Sequence, residues 1–203
     1  MKGVYNMAKK AHANRRILAP EEGRPALELA RYPLFSRKEV ATSASQTIQL
    51  FKNLGSADPS DTNMPNDGFL AHPMVYDVFG LALFVEQGIS EADLVKFYNN
   101  TILKFYVSSK DYIHVPIHMV PSGGGLTGFA ATGDTATPTT IFHATNCIPS
   151  PDVYLPIDIE GIPLHLLPQQ NFFMEVKTFA SSDFSATFKI TGKVLGVLGR
   201  PVL

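Results

Sequence analysis

The chain has 203 residues, 45% of them hydrophobic and 17% charged, with one cysteine and a formal net charge of −1. That composition excludes a disordered polymer and an internal disulfide framework, and the length suits one domain able to bury about 70% of the surface its unfolded chain exposes. The near-neutral total conceals an uneven distribution. Residues 1–38 hold nine Lys and Arg against three Glu, a surplus of six positive charges, and the remainder carries a surplus of seven negative ones. A basic arm on a mildly acidic body points to an anionic partner such as nucleic acid, a lipid surface or an acidic neighbouring subunit.

The opening stretch MKGVYNMAKKAHANRR lacks the apolar centre of a secretory signal. The longest apolar run, VFGLALFV (78–85), is too short for a membrane-spanning helix. The chain is expected to be made and kept in the cytoplasm, or packaged from it. Residues 1–40 read as an extended or partly ordered arm, with one short helical turn in PALELARYPLF between Pro25 and Pro33. Its clearest electrostatic feature is Lys9, Lys10, Arg15 and Arg16, suited to phosphate on a genome or on lipid headgroups. The same cluster also suits a solvated tail or contact with another subunit.

From residue 41 the chain reads as a single β domain. SQTIQLFKN alternates, with Ile48 and Leu50 on one face and Thr47, Gln49 and Phe51 on the other, which predicts a strand. Residues 54–68 carry turn chemistry throughout. PMVYDVFGLALFVE (73–86) predicts a long apolar strand, bent or bulged at Gly80. SEAD (90–93) has the capping pattern of a short helix running to about Phe97. NTILKFYVSS (100–109) and DYIHVPIHMV (111–120) predict a hairpin that turns near Lys110.

VPSGGGLTGFAATGDTATPTT (120–140) invites a phosphate-cradle reading, but no lysine follows its glycines in the spacing a phosphate loop requires, so it reads as a strand connection. TTIFHAT (139–145), short extended pieces within 153–167, NFFMEVKTFA (171–180) and FSATFKITGKVLGVL (184–198) complete about eight strands. No β–helix–β rhythm is present. Strands joined by Gly and Pro turns point to an antiparallel sandwich or barrel, and the fold class expected is all-β: an eight-stranded antiparallel jelly-roll sandwich with one short helix and an extended N-terminal arm.

Few residues advertise chemistry. His114 and His118 have the spacing of two zinc ligands on one helical face, but Pro116 lies between them and the surroundings alternate as a strand. Four residues of strand span about 13 Å, too far for two rings to share one metal. Asp158 and Glu160 would share a face of a strand, and nothing nearby selects them as a catalytic pair. Cys147 has no basic neighbour in sequence to depress its pKa and reads as a small apolar residue. No catalytic, metal or cofactor residue is therefore assigned, and the chain is not expected to be an enzyme.

Four stretches carry a resemblance: TNMPNDGFLAHPMVYDVFGLALFV (62–85), NNTILKFYVSSKDYIHVPIHMVPSGGG (99–125), QNFFMEVKTF (170–179) and ITGKVLGVLGRPVL (190–203). In pattern and order they resemble the capsid proteins of tailless icosahedral bacterial viruses built from an upright jelly roll, a resemblance that covers roughly residues 45–203. It implies a structural subunit that self-assembles into trimers or pseudo-hexameric capsomers and tiles a shell, often over an internal membrane. The partners implied are other copies of the chain, a second capsid or vertex protein, and membrane lipid or genome met through the basic arm. Two rivals stand beside it. A carbohydrate- or receptor-binding β-sandwich would display aromatic platforms, and the chain has no Trp. A cupin-like metalloenzyme would require H-x-H with a nearby glutamate, where this chain has H-V-P-I-H.

Overall fold

The computed structural model describes residues 15–18, 27–53, 58–86, 89–122, 131–132, 140–141 and 154–201. Two antiparallel sheets form an all-β sandwich. The strands are β1 (Arg15–Leu18), β2 (Leu27–Arg31), β3 (Leu34–Val40), β4 (Ser45–Leu50), β5 (Val75–Val85), β6 (Thr101–Val107), β7 (Lys110–Pro116), β8 (Ala131–Thr132), β9 (Thr140–Ile141), β10 (Leu155–Pro156), β11 (Leu164–Leu166), β12 (Phe172–Phe179) and β13 (Phe188–Pro201). One helix, α1 (Glu91–Asn99), follows β5. The larger sheet runs β1-β2-β13-β5-β10, with β3 also on β13 and β11 also on β5. The smaller runs β4-β12-β6-β7, and among the described residues β8 pairs with β9 alone.

The apolar alternation builds the core. Leu103, Phe105 and Val107 of β6 and Phe172, Met174 and Val176 of β12 are buried, as are Ile190 and Val194 of β13. They close over Leu81, Leu83 and Val85 of β5. Between Leu195 and Gly196 the register with β5 slips by one, and Phe79 is the extra residue beside Gly80. The bulge shifts the phase of β5: Tyr76 and Val78 point inward before it, and Leu81, Leu83 and Val85 after it. Gly80 also makes room, because a Cβ there would lie 1.9 Å from the Tyr154 ring.

Helix α1 starts where the SEAD pattern places it. The Asp93 N–H donates to Ser90 Oγ at 3.2 Å. The Asp93 carboxylate does not complete a reciprocal box but accepts from the Ser185 N–H and hydroxyl, tying the helix to the loop before β13. Phe97 then packs edge-on against Phe188, with centroids 5.4 Å apart. The β6–β7 hairpin turns on Ser108 and Ser109, both in the left-handed region at φ 49° and 69°.

Four expectations are corrected. The PALELARYPLF stretch makes no helical turn: β2 and β3 pair with β13, so residues 27–40 of the expected arm form part of the larger sheet. Phe51 is buried, because its φ of 68° ends β4 and turns the ring inward to meet Phe172 at 5.7 Å. The strand expected over 111–120 ends at Pro116, and a 3-10 turn (Ile117–Met119) follows. The described residues hold thirteen strands where about eight were expected, through the β1–β2 hairpin, the short β8–β9 pair and the division of 153–167 into β10 and β11. The Gly-rich stretch 123–130, most of TTIFHAT and Cys147 lie outside the described residues.

Candidate functional site

β13 is the longest strand, and its two halves differ. As far as Val194 its residues alternate between buried and half-buried, as in a strand covered on one face. From Leu195 to Leu198 all four are half-buried, so neither face is closed. Here β2 replaces β3 as the neighbour, and the change occurs at Tyr32 and Pro33. Pro33 has no N–H to give to a ladder, so a break at this point loses no hydrogen bond. The Tyr32 N–H donates to the Gly196 carbonyl at 3.2 Å. Tyr76, wholly buried, holds its hydroxyl 2.6 Å from the Tyr32 carbonyl and 2.8 Å from that of Val194. Burial pushes the Tyr76 pKa well above the usual tyrosine range, so the group stays a neutral donor. Gly196 lets this ring approach, since a Cβ there would lie 2.6 Å from it and 2.2 Å from the Asp77 carbonyl.

This end of the sheet bears two grooves. The inner one, about 520 Å³, is lined by Leu34, Met64, Leu70, Met74 and Leu198, with Arg31 and Arg200 also in its wall. The outer one, about 460 Å³, lies against Phe79, Tyr154, Leu195 and Val197. The ladder explains the division, because Leu198 pairs with Ala30 and Val197 with Arg31, placing alternate residues on opposite faces, while Arg31 and Tyr32 border both grooves. Arg200 Nε donates to Glu28 at 2.8 Å across the same pair of strands. In the N-terminal cluster, Arg15 and Arg16 stand in β1 opposite Ala30 and Leu29. Lys9 and Lys10 lie outside the described residues.

The other sequence candidates are dispersed. His114 is on β7 with Asp111 at 3.9 Å, and His118 is in the 3-10 turn beyond Pro116. Among the described residues, no group of three His, Cys, Asp or Glu side chains could hold a metal ion. Asp158 and Glu160 lie in a tight turn, not on one strand face. The Ile159 and Ile162 backbones exchange both hydrogen bonds, and Asp158 accepts from the Gly161 N–H at 3.1 Å. One pair escaped the sequence reading: His165 Nδ1 is 2.5 Å from Asp77 Oδ1. The β11–β5 register sets these two opposite each other, and 88 residues of sequence separate them. About half of the His165 side chain is exposed, as for a surface pair of modest worth. On the outer face of the smaller sheet, Tyr106 and Phe173 stack 4.7 Å apart, and Lys52 covers Phe173 at 3.9 Å.

No protein-family model matches the chain, and no curated protein matches it in sequence. Among the described residues, what the geometry offers is contact surface: a sheet end with a groove on each face.

Proposed function

We propose that the protein is a structural subunit that self-assembles, through its β-sandwich and N-terminal segment, into an icosahedral bacteriophage capsid shell, with other copies of itself as principal partner. The observation that carries this reading is the open end of the larger sheet, where β13, β2 and β1 extend the sandwich as a grooved ledge. A ledge with apolar walls on both faces suits packing between subunits.

Strand order supports an eight-stranded jelly roll as its core. Taking β10 and β11 as one interrupted strand along β5, one sheet reads β3-β13-β5-β10/β11 and the other β4-β12-β6-β7. Each sheet interleaves early and late strands, as two wrapped Greek keys do. The first residues, with Lys9 and Lys10, would reach a neighbouring subunit, membrane lipid or the genome, and a second capsid or vertex protein would complete the shell.

Light scattering of the full-length protein across salt and concentration, with negative-stain images of the same samples, tests this. Trimers, hexamers or shell fragments are expected. A monomer indifferent to concentration and salt would overturn the proposal.

A further inference from the structure

The larger sheet treats its edges unequally. Along β3 the loop 58–64 supplies partners: the Arg37 N–H donates to the Asp61 carbonyl at 2.7 Å and the Phe35 N–H to Asn63 Oδ1 at 2.9 Å. On the far side, β10 and β11 both pair with β5, but residues 158–163 leave the ladder between Pro156–Gly80 and Leu164–Val78. They project as a turn closed by its own hydrogen bonds, with Ile159 and Ile162 exposed, and interrupt that edge. β1 has neither device. It is a regular ladder of four residues, and among the described residues it pairs with β2 alone. A regular edge without cover or interruption is a template for a further strand.

The phase of the ladder tells which groups of β1 face that edge. The Tyr32 N–H donates to the Gly196 carbonyl, and the register runs on from this pair without a shift, from Arg31 opposite Val197 to Leu27 opposite Pro201. Bonded and non-bonded pairs alternate along an antiparallel ladder. Ala30 and Glu28 therefore turn their backbone groups to β13, and Leu29 and Leu27 turn theirs to β1. Pro201, which has no N–H, stands opposite Leu27, as this phase requires. Leu29 and Leu27 face Arg16 and Leu18, so these two residues of β1 bond to β2. Arg15 and Ile17 direct their N–H and C=O groups to the open side.

We infer that β1 of one copy pairs antiparallel with β1 of a second copy, about a two-fold axis at Ile17, so that the two larger sheets continue as one. A second β1 offers the same spacing of outward donors and acceptors. A two-fold centred on Arg15 or Arg16 would set that arginine against itself, and like charges directly opposite are destabilising. Centred on Ile17, the register sets Ile17 against Ile17 and Arg16 against Leu18 on both sides. The contact is isologous: it uses the β1 edge of both copies and closes at two, leaving the grooves for growth beyond the pair. The inference rests on the self-assembly reading and adds to it the contact and its symmetry.

The test uses the full chain. Sedimentation velocity reads association, and residue-resolved hydrogen exchange reads the edge. Where wild type associates, the Ile17 amide is expected to be protected and to lose protection on dilution to monomer, while the Arg16 and Leu18 amides, bonded to β2, keep theirs. Ile17→Pro removes the outward N–H and spares the bonds to β2. It is expected to keep a native circular-dichroism melt and to associate at least about tenfold more weakly, since both hydrogen bonds across the axis are lost.

If wild type associates while its Ile17 amide exchanges freely, or if a folded Ile17→Pro variant associates equally well, the inference is overturned and the self-assembly proposal stands. Ile17 protection that persists unchanged in the dilute monomer would show the chain's own residues on the edge and overturn the inference likewise. Should the proline variant melt early, the wild-type exchange pattern decides. A wild-type chain that stays monomeric at every concentration overturns both.

Discussion

The hydroxyl of Tyr76 is expected to hold the chain at the point where the larger sheet leaves the covered part of the sandwich. Tyr76→Phe removes that one group and leaves the ring, so no cavity forms. The hydroxyl has a single proton and lies between two carbonyls, Tyr32 at 2.6 Å and Val194 at 2.8 Å, in a wholly buried setting. One neutral hydrogen bond contributes about 0.5–1.5 kcal/mol, and a buried carbonyl left short of a donor adds to the loss, giving about 1–2.5 kcal/mol in all. At about 2–4 °C per kcal/mol for a chain of this size, the thermal midpoint should fall by about 2–10 °C. Calorimetry gives the midpoint, and hydrogen exchange gives the location. The Tyr32 amide, bonded to Gly196, should exchange faster, while amides of β6 and β12 keep their relative protection. A midpoint shift below about 1 °C, or unchanged Tyr32 protection beside a globally loosened core, would refute the clasp.

Asp93 is expected to make folding acid-sensitive. Burial opposes its ionisation, but hydrogen bonds from Ser185, Ser90 and Lys96 outweigh that and hold its pKa below the ordinary 3.8. A depressed carboxylate contributes its stability above the unfolded value and loses it as pH falls through the folded one, so denaturant midpoints should drop below about pH 4, and Asp93→Asn should flatten that drop while costing about 1–3 kcal/mol at pH 7. Gly80→Ala drives a Cβ to 1.9 Å from the Tyr154 ring and 2.7 Å from the Leu155 carbonyl. The expected cost in urea unfolding is about 1–3 kcal/mol, partly recovered in the double variant with Tyr154→Ala; additive losses would contradict the steric account. Ser109→Gly relieves a φ of 69° and should raise stability by about 0.5–1 kcal/mol, with no gain meaning that the turn is unstrained.

Much of the sandwich was legible because sheet patterning is local. The period of two in β4, β6 and β12 reports which face is buried. The N-cap of α1 and the Gly80 irregularity were legible for the same reason, each being the property of a few adjacent residues. Reading failed where the backbone departs from its repeat. A single left-handed φ at Phe51 turns its own ring to the buried face, and no alternation pattern records it. Residues 27–40 look like an arm because their polar side chains and Pro33 break a strand's alternation. Their place comes from a partner, β13, at the other end of the sequence. The site was hidden likewise. Arg31 and Arg200 meet at one groove, and His165 meets Asp77, only through strand register.

The sequence by itself determined an all-β chain with a buried apolar face on each main strand, an uneven charge and no advertised catalytic motif. Those properties belong to single residues and their near neighbours, where propensity and periodicity act. Only the tertiary structure decided which strands pair, where β13 outruns its cover, and that the carboxylates 158 and 160 cap a projecting apolar turn. These depend on contacts between distant residues, and such contacts are chosen by the packing of the whole core, not by any stretch of it.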